Sequence, residues 1–330
     1  MVEAKELLRG DNLVVQFRQT QGFRRHLIYP VNQISLAVAS NEIVGIVGES
    51  GSGKTTLGRA LAGMTSIVQG SLWLKGRNVS RLNRKELRKY WEQVQMIFQD
   101  VYNSLNPIYT VEQQLSVPIQ RHASPTQSVQ RELENLLQLT GLTPTAAVRA
   151  RLPHELSGGQ RQRVAIVRAL AAQPDLLIAD EPVSMLDVSL RAEILQLLGR
   201  LRDNLGLAIV YITHDLPSAV YIADRILVMY GGCLVETIRA DALIQESRHP
   251  YTERLLAAAR FEKPASPPGS GSESATSSVL LASYKGCPYA PRCPIASQIC
   301  STTRPSLVQI GHNHLAACHA LSASSEAQGR

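Results

Sequence analysis

The chain has 330 residues, of which 44% are hydrophobic and 18% charged, enough for one large globular domain with a smaller appendage. This composition excludes wholesale disorder. The 34 Lys and Arg against 27 Asp and Glu give a net charge of +7, which suits nucleic acid, a membrane surface or a polyphosphate ligand. Because the basic residues form no consecutive block, charge alone does not select among these partners.

The N-terminal residues show no basic segment followed by an apolar core, so we expect no secretory signal. No apolar run approaches the ~20 residues that a membrane-spanning helix needs. We therefore expect a protein that is cytosolic or that partners hold at a membrane. In that compartment its five cysteines should be thiols rather than disulfides.

Four short β-rich runs open the chain and predict a mixed sheet. They begin at Leu13, Ile34, Glu42 and Ser71. From Arg81 to about Leu152 the pattern becomes helical, and the clearest helix runs from Thr126 to Leu139, with Gly141 as its stop.

Patterns of buried strands return at Leu176 to Asp180 and at Leu207 to Thr213. Between them, an apolar stripe predicts a helix and is formed by Leu190, Ile194, Leu197, Leu198, Leu201 and Leu205. Alternation of strands and helices predicts a parallel α/β core. Further on, Gly231-Gly232 separates two strand-like runs and predicts a hairpin turn.

A Pro-, Gly- and Ser-rich stretch over about 261–278 cannot bury a core, and we interpret it as a linker. The residues beyond it, 279–330, include four of the five cysteines. This pattern predicts a small separate C-terminal module.

The run from Gly48 to Thr55, GESGSGKT, follows a buried strand and opens a helix, as a phosphate-binding P-loop requires. Its glycines let backbone N–H groups wrap phosphates, Lys54 neutralises phosphate charge, and the Thr55 hydroxyl can ligate Mg²⁺. The predicted ATP contacts of this loop are Gly48, Ser50, Gly51, Gly53, Lys54, Thr55 and Thr56.

The strand from Leu176 ends in two carboxylates, at the edge of the sheet where α/β folds bind ligands. Asp180 suits the Mg²⁺ shell. Glu181 can orient and deprotonate the water that attacks in phosphoryl transfer. We therefore expect Glu181 to be the catalytic base.

A third motif, LSGGQ, precedes a predicted helix, where it would present the N-terminus of that helix to an anion. Its residues are Leu156, Ser157, Gly158, Gly159 and Gln160. An LSGGQ run between a P-loop and a strand that ends in DEP resembles the signature of ABC ATPases, over about 13–256. The resemblance implies a P-loop ABC ATPase domain over 1–260. It has a RecA-like core, an antiparallel β-subdomain and a helical subdomain at about 100–155.

Other positions resemble the functional residues of that family. Gln99 resembles the Q-loop glutamine, which reaches the Mg²⁺ and water site, and His214 resembles the switch histidine that contacts the γ-phosphate. Asp187 resembles the D-loop aspartate, although Met185 stands where alanine is usual.

An aromatic side chain is expected to stack on the adenine of ATP. Phe17, after the first strand, is the first candidate, and Tyr29 is the alternative.

The resemblance also implies partners. In this family the P-loop of one subunit and the LSGGQ of a second subunit enclose each ATP, so we expect a homodimer or a heterodimer with a paralogue. Two integral membrane permease subunits would dock near 99–119, and an extracytoplasmic solute-binding protein would act through them. The expected location is the cytoplasmic face of the cell membrane.

The region after the ATPase resembles that of the oligopeptide and dipeptide permease ATPases, through HPYT from His249, GCPYAPRCP from Gly286 and a terminal AACH. The runs FQD and SLNP fit the same subfamily, although Val101 replaces its usual proline. We therefore expect an ATPase that powers import of di- or oligopeptides. Nickel or oligosaccharide import is the alternative. A soluble ABC regulator or nucleic-acid remodelling ATPase ranks below it, and we expect no nucleic acid partner.

Four cysteines follow the linker, with five, six and seventeen residues between them: Cys287, Cys293, Cys300 and Cys318. A module of about forty residues is too small to build a sufficient core unaided, so a metal or cross-link is expected. Zinc is possible with His312, His314 or His319, but zinc sites usually show a closer cysteine pair.

Some peptide-permease ATPases that this tail resembles carry a four-iron four-sulfur cluster. The resemblance therefore ranks that cluster first, zinc second and unliganded thiols third. Cys233 lies in a predicted strand and is interpreted as packing.

Overall fold

The computed structural model describes residues 5–21, 24–122, 128–260 and 285–321. The predicted linker, 261–278, lies outside these residues, as do 279–284 and 322–330 of the predicted C-terminal module. The strands are β1 Glu6–Gln21, β2 Arg24–Ala39, β3 Ile43–Val47, β4 Gln69–Leu74, β5 Arg77–Asn78, β6 Val94–Ile97, β7 Leu176–Asp180, β8 Ala208–Thr213, β9 Arg225–Tyr230, β10 Cys233–Arg239, β11 Val308–Gly311 and β12 His314–Ala316.

The helices alternate with these strands over much of the chain. They are α1 Lys54–Leu61, α2 Arg84–Gln93, α3 Val101–Ser104, α4 Val111–His122, α5 Val129–Leu139, α6 Thr145–Arg149, α7 Gly158–Leu170, α8 Val188–Leu205, α9 Leu216–Ile222, α10 Leu243–Glu246, α11 Pro250–Ala259 and α12 Gln298–Thr302, with 3₁₀ turns at Pro153–Glu155 and Ala290–Arg292. No helix within the described ranges is both long and apolar enough to cross a membrane.

The described residues divide into two compact units. The first comprises those of 1–5, 39–42 and 82–211, and the second those of 6–38, 43–81 and 212–330. The boundary after residue 211 falls inside β8.

The second unit contains strands of two different sheets. One is antiparallel, with the order β2-β1-β4-β5, and in it Leu8 of β1 pairs with Leu74 of β4. In the other, β3 runs parallel to β9, followed by β10, β12 and β11 in antiparallel order. The expectation of one mixed sheet for the opening runs is therefore wrong. All five residues of β3 are buried, as is typical of a strand that is covered on both faces. This strand therefore pairs with β9 in the parallel part of the core and not with β1, β2 or β4.

The turn between β9 and β10 is the predicted two-residue hairpin. Cys233 pairs with Tyr230, and the two glycines between them have φ of 53° and 80°. Positive φ at both central positions is the type I′ requirement that glycine meets without steric cost.

The first unit combines parallel strands with most of the helices. Strand β6 pairs in parallel with β7, and β8 lies next to β7. Helix α5 begins at Val129, where the side chain of Ser128 caps it, and ends before Gly141 at φ 73°. The expected start at residue 126 lies outside the described residues; within them, the helix begins after its Ser128 cap.

Helix α8 is capped by Asp187 and ends at Gly206, which has φ 66°. Its buried face contains Ile194, Leu197, Leu198 and Leu201, as the apolar stripe predicts. Leu205 is exposed instead, because it lies in the last turn. Leu195, outside the stripe, is buried.

Within the second unit, buried hydrogen bonds attach the C-terminal strands to β10 and to the start of α11. The Nε2 atom of His314 lies 2.7 Å from Oε1 of Glu236, and both side chains are buried. Glu236 also accepts hydrogen bonds from the backbone N–H groups of Arg248 and His249. A buried carboxylate with three partners fixes β10, β12 and the start of α11 together.

His249 makes the stability of this region depend on pH. Its Nδ1 accepts a hydrogen bond from the backbone of Tyr251, and burial is the main reason that its pKa falls from 6.5 to about 4. Between these values the unfolded chain binds a proton that the folded chain does not, so stability decreases as pH falls below about 6.5. We expect this residue to lower the free energy of unfolding by about 2 kcal/mol at pH 5 relative to pH 7.

Denaturant unfolding at pH 7, 6 and 5 measures this effect. His249→Asn keeps a side-chain oxygen that can cap α11 but does not titrate in this range. The variant should therefore lose less stability than the wild type on acidification. Parallel pH profiles for the two proteins would show that His249 is not the source.

Candidate functional site

The P-loop joins the end of β3 to the start of α1 in the second unit. Gly48, Gly51 and Gly53 have φ of 154°, 78° and 103°. Residues with a side chain rarely adopt such positive φ values. A Cβ on Gly53 would lie 1.9 Å from the carbonyl oxygen of Pro30, and one on Gly48 would lie 2.2 Å from that of Met229. The loop therefore requires glycine for two reasons: its backbone conformation disfavours other residues, and neighbouring carbonyl groups leave no room for a Cβ atom.

Lys54 is the first residue of α1 and is buried. Its Nζ donates hydrogen bonds to the carbonyl oxygens of Gly48 at 2.7 Å and Glu49 at 2.9 Å, and it lies 3.4 Å from Oγ of Ser52. The ammonium group is thus held against the loop, at the N-terminal end of a helix, where an anion is stabilised.

The remaining predicted phosphate contacts surround this lysine in sequence. Thr55 and Thr56 lie in the first turn of α1 and are half-buried, and Ser50 and Gly51 are exposed in the loop. The structure thus brings all predicted P-loop contacts to one helix N-terminus.

The two candidates for the adenine-stacking aromatic lie on neighbouring strands of the antiparallel sheet. Phe17 on β1 is exposed, whereas Tyr29 on β2 is half-buried. Tyr29 directly precedes Pro30, whose carbonyl is adjacent to Gly53. Both assignments stay predictions.

The two predicted acidic residues lie at the end of β7 in the first unit. Asp180 is the last residue of the strand, Glu181 follows it, and both are buried. Glu181 has φ 51°, an uncommon conformation for a residue with a side chain. Such strain, of about 1–3 kcal/mol, is often found at functional sites.

Gln99 and His214 both follow strands and are exposed. Gln99 lies two residues after β6 in the first unit, and His214 directly follows β8 in the second. Side chains at these positions are available to a ligand.

The signature residues form the start of α7 in the first unit. The Ser157 hydroxyl accepts a hydrogen bond from the N–H of Gln160, and the Gln160 side chain accepts one from the N–H of Ser157. This capping box leaves Ser157 exposed at the positive end of a 13-residue helix. Gly158 and Gly159 form the first turn of that helix, of which Gly159 is buried.

Asp187 caps α8 by accepting hydrogen bonds from the N–H of Leu190 and the hydroxyl of Ser189. These bonds, that of Leu190 first, lower the pKa of its carboxyl group. The predicted D-loop aspartate is therefore also the N-cap of a long helix.

Glu49, the second residue of the P-loop run, makes contacts that sequence reasoning missed. Its carboxylate forms a bidentate ion pair with Arg292, and its backbone N–H donates to the hydroxyl of Tyr251 at 2.7 Å. Both partners are more than 200 positions away in sequence. The only signal in the sequence was that the motifs HPYT and GCPYAPRCP, noted for the tail, contain these two residues.

The four C-terminal cysteines line one cavity of about 330 Å³ in the second unit. All are free thiols. Burial, and then the neighbouring thiols Cys300, Cys293 and Cys318, raise the pKa of Cys287 to about 11, although a backbone hydrogen bond from Tyr289 opposes the shift. Within the described part of the chain, no three His, Cys, Asp or Glu side chains are grouped so as to hold a single metal ion.

Comparison with known proteins places these features in a family. The profile described as ABC transporter matches residues 31–184, and that described as oligopeptide/dipeptide transporter, C-terminal region, matches residues 235–300. The dimeric post-hydrolysis structure of the ATP-binding cassette MJ0796, bound to ADP and phosphate, has a TM-score of 0.64 and 26% identity, covering 71% of this chain and 99% of that one.

Two curated relatives match most of this chain. A probable peptide ABC transporter ATP-binding protein of Sinorhizobium fredii is 40% identical over 89% of this chain and 83% of its own length. An oligopeptide transport ATP-binding protein of Bacillus subtilis is 38% identical over 88% of both chains. With its P-loop and LSGGQ helix, this chain belongs to the family of ATP-binding, ATP-hydrolysing subunits of ABC transporters, in the group that carries the oligopeptide/dipeptide C-terminal region.

Proposed function

We propose that this ATPase powers the import of di- or oligopeptides. The observation that carries the proposal is the presence, in one chain, of the glycine-constrained P-loop and a C-terminal region that matches the oligopeptide/dipeptide transporters. The relatives from Sinorhizobium and Bacillus, both described by peptide transport, support the same solute class.

In the proposed ATP cycle, the P-loop holds the phosphates and Lys54 exchanges its loop carbonyls for phosphate oxygens. Thr55, Gln99 and Asp180 would supply oxygen ligands for Mg²⁺, the donor type that this ion prefers, and the ion would neutralise phosphate charge. Glu181 takes the proton of the attacking water, and His214 contacts the γ-phosphate. The buried position of Asp180 and Glu181 supports these roles, because water screens buried charges less.

The proposed assembly contains two ATPase subunits, each offering Ser157–Gln160 to the nucleotide of the other. The structure of MJ0796 is dimeric, which supports an assembly of two ATPase subunits. Met185 and Val188, on either side of Asp187, are 71% and 82% exposed. Apolar side chains so exposed beside the D-loop are suited to burial against a second subunit.

The proposed permease-docking surface lies within 99–119 of the first unit. It exposes four large apolar side chains, Tyr102, Ile108, Tyr109 and Val117. The guanidinium of Arg161 lies 5.1 Å from the ring centre of Tyr102. An exposed apolar group of this kind fits a membrane-embedded partner, which would hold the chain at the cytoplasmic face of the membrane, with the solute-binding protein on the other side.

Reconstitution with the permease and solute-binding subunits tests the peptide proposal. ATP hydrolysis in proteoliposomes is measured with a dipeptide, an oligopeptide, Ni²⁺ or an oligosaccharide in turn. We expect stimulation by the peptides. Stimulation by Ni²⁺ or the oligosaccharide alone would replace the proposed solute, and substrate-independent turnover would favour a soluble ATPase.

We further propose that Cys287, Cys293, Cys300 and Cys318 hold a four-iron four-sulfur cluster with a structural role. The four thiols line one cavity of about 330 Å³, and thiolates are the ligands that hold such clusters. Burial, with a smaller contribution from the neighbouring thiols, raises the pKa of Cys287, so a bound cation would favour its thiolate form.

Anaerobic purification followed by iron, sulfide and zinc analysis decides between the candidates. We expect about four irons and four sulfides per chain, and the visible absorption of a cluster. Substitution of the four cysteines by serine should abolish both, with Cys233→Ser as the matched control. A colourless protein with zinc, or with no metal, would overturn the cluster assignment.

A further inference from the structure

Glu49 places a negative charge inside a loop that binds a triphosphate. Its own polar groups all have partners: the carbonyl oxygen accepts from Lys54, the N–H donates to Tyr251, and the carboxylate pairs with Arg292. Two of these three partners belong to the C-terminal region that matches residues 235–300.

The ion pair has the geometry of a specific contact. Nη1 of Arg292 lies 2.8 Å from Oε2 of Glu49, and Nη2 lies 3.2 Å from Oε1, so both carboxylate oxygens are engaged. The two side chains are 35% and 39% exposed, so solvent screens the pair in part. A planar guanidinium fits a carboxylate in this way, whereas an ammonium group does not.

Arg292 is itself held in place by an aromatic cluster. Nη1 also donates to the hydroxyl of Tyr230 at 3.2 Å, and the guanidinium carbon lies 5.8 Å from the centre of that ring. Tyr230 packs edge-on against Tyr251 and Tyr289, with ring centres 4.6 and 5.1 Å away. All three rings are buried, so the arginine is fixed relative to the P-loop before any ligand binds.

We propose that Arg292, which belongs to the C-terminal region, is a positioning residue for ATP binding. It neutralises the carboxylate of Glu49 and holds the start of the P-loop in place. Without the arginine, the carboxylate would repel the incoming phosphates, and the Glu49 carbonyl that holds Lys54 would lose its fixed position. One function of the C-terminal region is therefore to support the nucleotide site, whichever solute the transporter carries.

The test compares ATP affinity among Arg292→Gln, Arg292→Lys, Glu49→Gln and the double variant. Binding is measured at equilibrium without Mg²⁺, so that hydrolysis does not interfere. Arg292→Gln should weaken binding roughly fivefold, and Arg292→Lys less. The double variant should recover most of the loss, because the unpaired carboxylate is gone. In the assembled transporter, KM for ATP should rise in Arg292→Gln with little change in kcat.

Lys285→Gln removes one positive charge from an exposed position of the same region and serves as the control. Equal affinity in Arg292→Gln and Lys285→Gln would overturn the proposal, as would a double variant no better than Arg292→Gln. If Arg292 acted in folding alone, Arg292→Gln would lower the melting temperature, and adding Glu49→Gln would restore neither the melting temperature nor ATP affinity. If Arg292→Gln does not fold, Arg292→Lys with and without Glu49→Gln gives the same comparison. Failure of the wild type to bind ATP would instead contradict the ATPase assignment.

Discussion

Glu181→Gln should retain ATP binding and lower turnover of the assembled transporter by about 10²- to 10⁴-fold. The substitution removes the proposed base but keeps the size of the side chain. Gly53, Lys54 and Asp180 are unchanged, so the proposed phosphate and Mg²⁺ contacts remain. The measurement is the rate of phosphate release at saturating ATP, together with equilibrium binding of ATP.

A second glutamate of the first unit provides the control. Glu92 lies on α2 and is exposed, so Glu92→Gln should leave both quantities unchanged. Lys54→Ala should show the opposite pattern to Glu181→Gln, since it removes a phosphate contact and weakens binding. Near-normal hydrolysis by Glu181→Gln would assign the base to another residue.

Gly53→Ala should abolish ATP binding. The added Cβ would lie 1.9 Å from the carbonyl oxygen of Pro30, which is backbone and cannot rotate away. The φ of 103° adds strain of its own. The loop must therefore open, or the fold must lose more than about 2 kcal/mol of stability. Equilibrium ATP binding and thermal unfolding measure the two outcomes.

Gly199→Ala is the matched control, because it adds the same methyl group inside α8, where the new Cβ would meet nothing within 4 Å. It should bind ATP normally and raise stability by about 0.5–1 kcal/mol, since alanine is the better helix former. If Gly53→Ala behaves like this control, the close approach of Pro30 to the loop is incorrect.

Several features could be predicted from sequence because their cause is local. The glycines of the P-loop, the serine that caps α7 and the two-glycine hairpin after β9 each act within a few residues, through backbone conformation and short hydrogen bonds. The same is true of the strand that ends in Asp180 and Glu181. These motifs identified the family and the expected nucleotide site.

Other features depend on contacts between residues far apart in sequence. The apolar run of β3 indicates a buried strand, but it does not show which sheet the strand joins, since that choice follows from what covers each face. Arg292 and Glu49 are separated by 243 positions, and no sequence pattern around either residue indicates that they form an ion pair. The sequence by itself thus determined the nucleotide-binding motifs. Only the tertiary structure decided that the C-terminal region contacts the P-loop, because packing of the Tyr230, Tyr251 and Tyr289 rings brings these segments together.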